Sequence, residues 1–148
     1  MRKFIHYGHK EFDENMFVKI SNSPYFRTKP DGGLWASDVE AKYGWKDWCK
    51  AENFRDRIEE NSFEFVLTDN AKVLCINSVN DLRKLPKAED DEFLISSWVT
   101  LDFEKLSKMY DVIEVNISND WDLYFTLYGW DCDSIVVMNP EVIEDIRE

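Results

Sequence analysis

The sequence predicts a single α+β domain over residues 1–148, built on a mixed β-sheet with flanking helices. Strand-like and helix-like segments alternate irregularly, which favours a mixed sheet over a doubly wound parallel one. The hydrophobic fraction of 44% is too high for a disordered chain, and 148 residues are enough to enclose one core. No repeat, linker or low-complexity segment divides the chain.

Short apolar runs predict the strands of this sheet. They cover residues 4–7, 34–37, 62–67, 72–76, 112–117 and 134–138. The third and fourth runs are separated by TDNA at residues 68–71, a spacing that predicts a hairpin.

Capping residues and apolar spacing predict the helices. One is expected to begin at Ser37 or Asp38 and to carry Trp45 and Trp48, and Pro140 suits the first turn of a last helix. The other predicted helices cover residues 78–85, 101–110 and 118–127, with one or two helical turns within 11–20. Loops are expected at 21–33 and 87–92.

The charge balance excludes several classes of partner. Eighteen Lys and Arg stand against 30 Asp and Glu, giving a net charge of −12. Such a surface repels phosphate backbones and anionic membranes, although a locally positive pocket for a small anion stays compatible with it. The first residues lack the apolar segment of a signal peptide, and no apolar run is long enough to span a bilayer, so we expect no signal peptide and a cytoplasmic protein.

The cysteines and histidines predict no metal site. Cys49, Cys75 and Cys132 are odd in number and lack CxxC spacing, so we expect three unpaired thiols. His6 and His9 form an isolated HxxH without a third ligand of suitable type nearby.

Two glycine-bearing segments are the sharpest indication of a binding site. Gly8 follows the strand that ends in His6 and Tyr7, and Gly33 directly precedes the strand that begins at Leu34. Glycine at a strand end permits close approach of a ligand, and it also serves in ordinary turns. For either glycine alone the turn interpretation is preferred, whereas the two segments together shift the balance toward a pocket.

Three segments, in this order, resemble the histidine-type branch of the ADP-ribosyltransferase superfamily. FIHYG at residues 4–8 is similar to its first strand, and GLWAS at 33–37 is similar to its second motif. LYGWD at 127–131, followed by SIVVMNP at 134–140, resembles its late helix, turn and strand. The resemblance covers about a quarter of the chain.

This resemblance implies a split mixed sheet with NAD as the cofactor and substrate in its cleft. His6 and Ser37 would hold the nicotinamide ribose and its surroundings, and Trp35 would stack near the nicotinamide. Gly8 and Gly33 would admit the cofactor. The full set of cofactor-binding residues carried over is His6, Tyr7, Gly8, Gly33, Leu34, Trp35, Ser37, Tyr43 and Ser134.

The catalytic position departs from the family's pattern. Ser134 stands where the family usually carries a glutamate, with Asp133 adjacent and Asp131 two positions further back. Asp133 is the first candidate for the carboxylate that stabilises an oxocarbenium-like ribose, and Asp131 is the second. The enzyme would either transfer ADP-ribose or cleave nicotinamide from NAD, and the acceptor is left open between a protein, a nucleic acid and a small molecule.

The composition also supports a non-catalytic alternative. A small, acidic, Trp-rich chain matches an interaction protein of immunity or antitoxin type. Its binding face would then carry Trp45, Trp48, Trp98 and Trp121.

Overall fold

The computed structural model describes residues 2–23, 28–51, 61–87, 99–127 and 129–145. They form an α+β protein with a curled, mixed seven-stranded sheet, a separate two-stranded sheet and a few short helices. The predicted α+β class and mixed sheet are therefore confirmed.

Nine strands are present in the described part of the chain, and seven of them belong to the large sheet. Their bounds are β1 Phe4–Tyr7, β2 Ser21–Asn22, β3 Pro30–Asp31, β4 Leu34–Asp38, β5 Ser62–Leu67, β6 Val73–Ile76, β7 Val112–Val115, β8 Ser134–Val137 and β9 Ile143–Asp145. The large sheet has the order β6-β7-β8-β4-β1-β5-β9, and β2 pairs with β3. Only β6 and β7 are parallel among these pairs.

The helices are short. They are α1 Trp45–Ala51, α2 Phe103–Leu106 and α3 Asp122–Thr126, with 3₁₀ turns at Glu14–Met16, Val79–Leu82, Ile117–Asn119 and Pro140–Val142. None of the helices in the described ranges has the length and apolar character that a bilayer crossing requires.

The predicted hairpin between the strands at 62–67 and 72–76 is wrong. Both strands form, and a turn follows β5, where the Ala71 N–H donates to the Thr68 carbonyl. However, β5 pairs with β1 and β9, whereas β6 runs parallel to β7. A short turn between two strand-like runs limits their separation along the chain, but it does not fix which neighbours they pair with.

The helix expected from Ser37 or Asp38 begins later, because residues 34–38 continue as β4 and α1 begins at Trp45. Ser37 still acts at the start of that helix, since its Oγ accepts the Trp45 N–H at 3.0 Å. The helix predicted after Pro140 is a single 3₁₀ turn followed by β9. The loop expected at 87–92 falls, apart from residue 87, outside the described residues.

Two hydrophobic cores lie on the two faces of the large sheet, as alternation along strands requires. The first core packs α2 and α3 against β6, β7 and β8, and it includes Ile113, Val136 and Trp130. The second core includes Phe4, Leu34, Phe63, Ile135 and Val137.

Strand β4 joins the two halves of the sheet. Its residues 34–36 pair with β8, and its residues 37–38 pair with β1. Strands β1 and β4 carry five of the nine predicted cofactor-binding residues, so this junction decides where those side chains point.

Candidate functional site

His6 and Trp35 do not line one cleft. Trp35 packs against the first core, with its ring 4.6 Å from that of Trp130. His6 is buried on the other face, with its ring 5.2 Å from that of Phe63 in the second core. The expectation that the two side chains border a common cofactor cleft is therefore wrong, because neighbouring strands display them on opposite faces of the sheet.

The His6 ring is held by protein groups on both nitrogens. Its Nδ1 donates to the Trp35 carbonyl oxygen at 2.6 Å, since a carbonyl can only accept. Its Nε2 lies 2.9 Å from Nδ1 of His9, and the two rings stack. Among the described residues, no group of three or more His, Cys, Asp or Glu is placed to hold a metal ion.

Asp133, the first catalytic candidate, is buried at the centre of a hydrogen-bond network. Its Oδ1 accepts the Ser118 N–H at 2.8 Å, and its Oδ2 accepts the Ser118 hydroxyl at 2.5 Å and the Tyr43 N–H at 3.3 Å. The Asp133 N–H donates in turn to the Tyr43 carbonyl at 2.7 Å. This carboxylate therefore ties the loop around Tyr43 and the 3₁₀ turn at Ile117–Asn119 to the start of β8.

Ser37 and Ser134 are also buried and bonded within the fold. The Ser37 hydroxyl donates to the Asp133 carbonyl at 2.8 Å, and the Ser134 hydroxyl donates to the Cys132 carbonyl at 3.2 Å. The Ser37 hydroxyl thus lies beside the Asp133 backbone at the start of β8. Asp131 is partly buried and engaged in contacts of its own.

Gly33 is required by packing. Its φ is +75°, and an added Cβ would lie 2.5 Å from Val136 Cγ2 and 3.0 Å from the Val137 carbonyl oxygen. Leu34 beside it is buried in the second core. Gly8 also has a positive φ, of 126°, and its N–H donates to the Asn61 carbonyl. A positive φ accounts for Gly8, and a positive φ together with close packing accounts for Gly33.

A pocket of about 390 Å³ lies beside β1 and brings together two of the predicted cofactor residues, Tyr7 and Ser37. Ile5 and Glu64 line it from the same face, because Ile5 is in register with Ser37 on one side and with Glu64 on the other. Its charged lining residues are three carboxylates and one ammonium group, namely Asp38, Asp47, Glu64 and Lys46. The pocket is acidic, which disfavours a diphosphate.

The three cysteines are free thiols, as predicted. Cys132 is buried, and burial followed by the charges of Asp133 and Asp131 raises the pKa of its thiol far above the ordinary value. Cys75 is an exposed residue, but its thiol is partly buried. This burial, and to a smaller extent the negative charge of Glu114, raises the pKa of the Cys75 thiol as well. Neither thiol is activated as a nucleophile.

An ion-paired cluster on the second-core face is absent from the sequence-based predictions. Arg2 donates to Asp38 at 2.9 Å and to the buried Glu114 at 2.5 Å. Its guanidinium also lies 5.0 Å from the centre of the Phe4 ring. These residues are separated by up to 112 positions, so no local pattern indicates the cluster.

The four tryptophans proposed as one binding face have different surroundings. Trp45 and Trp48 are half-buried and pack edge to face, with ring centres 5.6 Å apart. Trp98 lies outside the described residues. Trp121 is exposed, and Phe125, which sequence reasoning missed, is exposed one helical turn away. Trp121 and Phe125 are four positions apart, and this spacing places two residues on the same side of a helix. It was the feature of the sequence that could have indicated the pair.

Comparison with models of protein families, with curated proteins and with solved structures finds no match for this chain.

Proposed function

We propose that this chain is an acidic interaction protein of immunity or antitoxin type that binds a basic protein. The observation that carries the proposal is its charge, which is −12 over 148 residues. Most of the Asp and Glu side chains in the described part of the chain are exposed, so the acidic excess is directed to solvent. Such a field attracts cationic partners and accelerates their association.

The use of the predicted catalytic residues within the fold supports the same proposal. Asp133 accepts three hydrogen bonds, and the hydroxyls of Ser37 and Ser134 donate to backbone carbonyls. Buried polar groups with partners inside the fold stabilise it and have little capacity left for a substrate.

Affinity purification tests this proposal. The tagged chain is incubated with extract of the cells that produce it at low and high salt, and bound proteins are identified and then purified. We expect one basic protein in stoichiometric amount, with affinity that falls as salt rises, because salt screens charge attraction. Recovery of no such protein, or a complex insensitive to salt, would contradict the proposal.

A second candidate is the NAD-dependent ADP-ribosyltransferase that the sequence resembles, with the split sheet typical of that superfamily. The observation that favours it is the pocket shared by Tyr7 and Ser37, whose volume falls within the range usual for ligand sites. The acidic lining of that pocket argues against the NAD diphosphate.

Calorimetry with NAD, followed by a nicotinamide-release assay, separates the two candidates. Release of nicotinamide that Asp133→Ala lowers by about 10²–10³, with NAD affinity retained, would establish the transferase, since a carboxylate facing developing positive charge acts mainly in the transition state. The interaction protein is expected to give neither heat of binding nor release.

A further inference from the structure

Helix α3 carries apolar side chains on both of its faces. Leu123 and, just beyond its end, Leu127 are fully buried in the first core. Trp121, immediately before the first residue of α3, and Phe125 lie on the outer side, where they are 53% and 63% exposed. A short surface helix ordinarily shows polar residues outward, so two large aromatic residues there indicate an interaction surface.

Each of these aromatic residues contacts a neighbouring ring. The Trp121 ring meets the half-buried Tyr43 ring edge-on at 6.0 Å, and the Phe125 ring meets that of Tyr124 at 5.3 Å. We call Tyr43, Trp121 and Phe125 the α3 surface. A ring with such a contact loses less conformational freedom on binding than an isolated ring, which favours affinity.

Carboxylates border the α3 surface. Asp122 is exposed at the first position of α3. Asp120 precedes it and accepts the Val79 and Asp122 N–H groups at 3.0 and 3.1 Å. An apolar centre with an acidic border is complementary to an apolar cleft bordered by Lys and Arg.

We propose that the α3 surface is the binding face for the basic protein, with Trp121 and Phe125 entering an apolar cleft that Lys and Arg side chains border. This inference rests on the proposed function and locates it. A second copy of this chain is a poor occupant, because two molecules of charge −12 would meet through carboxylates of the same sign.

Two peptides of equal charge test the surface without knowledge of the natural partner. One is a cationic amphipathic helix of Lys and Leu, and the other has every Leu replaced by Ser. Each is titrated into isotopically labelled protein at low salt, and perturbed resonances are mapped by NMR. We expect the Lys/Leu peptide to perturb the Trp121 indole and α3, and to bind at least tenfold more tightly than the Lys/Ser peptide.

Matched variants complete the experiment. Trp121→Ala and Phe125→Ala are each expected to weaken the Lys/Leu peptide at least tenfold, whereas Met109→Ala, at another exposed apolar residue, leaves binding unchanged. Binding elsewhere, equal binding of both peptides, or no effect of the α3 variants would overturn the assignment. So would a wild-type dimer that Trp121→Ala dissociates.

The α3 assignment and the proposed function fail separately. With the purified natural partner, wild-type affinity of both α3 variants overturns the surface and leaves the function standing. Absence of any basic partner in the purification overturns the function itself. Unchanged thermal unfolding of the variants shows that lost binding does not come from lost folding.

Discussion

The Nδ1 of His6 donates to the carbonyl oxygen of Trp35 at 2.6 Å, yet the two rings lie on opposite faces of the sheet. The bond joins a side chain to the backbone of the neighbouring strand, so it does not require the rings to share a face. The Trp35 ring is instead 4.6 Å from Trp130. The motif that resembles a cofactor site is thus divided between two cores.

Asp133→Ala is expected to lower the free energy of unfolding by roughly 3–5 kcal/mol. A hydrogen bond to a charged group contributes about 1.5–3 kcal/mol, and the contributions of neighbouring bonds do not add fully. The substitution leaves the Ser118 and Tyr43 N–H groups without their acceptor. Chemical denaturation measures the loss. Asp122→Ala, at an exposed carboxylate, is the control and should change stability by less than about 0.5 kcal/mol. Similar losses for both variants would show that the network does not stabilise the fold.

Gly33→Ala is expected to destabilise the protein by roughly 2–4 kcal/mol, through a left-handed backbone and a clash with the core. The added Cβ would meet Val136 Cγ2 at 2.5 Å. Gly44→Ala is the comparison, because its nearest neighbours are at 3.2–3.3 Å and no positive φ is involved. The thermal unfolding temperature of Gly33→Ala should be well below that of Gly44→Ala. The reverse order would contradict this explanation.

Arg2→Ala is expected to cost more stability than Glu114→Leu. Removing Arg2 leaves the buried Glu114 carboxylate without its cation, whereas removing Glu114 leaves a half-exposed Arg2 that still pairs with Asp38. We expect about 1–2 kcal/mol for Arg2→Ala, reduced from the value of a fully buried pair by solvent around the guanidinium. Urea denaturation of both variants measures the two losses in the free energy of unfolding. Equal losses would refute the expected order.

Cys75 is expected to react first with a thiol reagent, because it is exposed. Cys49 and Cys132 are buried, so they should react only after the protein unfolds. The raised pKa of Cys75 leaves little thiolate near pH 8, so its rate should still be rising at higher pH. Glu114→Gln removes a negative charge that raises this pKa, so the rate profile should move to lower pH. Mass spectrometry of modified protein over a pH series measures the shift. An unchanged profile would show that the carboxylate does not act on the thiol.

Local patterns predicted much of the fold. The strand at Phe4–Tyr7 has the predicted bounds, and the strands beginning at Leu34 and Ser134 end within one residue of them. Apolar runs determine strands because alternate side chains must be buried on a sheet. The free cysteines likewise followed from their number and spacing alone.

The candidate site was predicted only in part. The pocket does bring Tyr7 and Ser37 together, and Asp133, Ser37 and Ser134 are neighbours. The separation of His6 from Trp35 could not be predicted, because it depends on the register between the strands. A register shift of one residue moves every side chain of a strand to the other face of the sheet. The α3 surface depends on which side of a short helix the core covers.

By itself, the sequence determined the α+β class, the position of most strands, the acidic charge and the unpaired thiols, since each follows from composition or from neighbours along the chain. Tertiary structure alone decided that β6 pairs in parallel with β7 and does not form an antiparallel pair with β5. It also decided that the Asp133 carboxylate accepts hydrogen bonds from Ser118 and Tyr43, and that Trp121 and Phe125 are exposed to solvent. These outcomes depend on contacts between distant segments, whose free energy is set by packing of the whole core rather than by local preference.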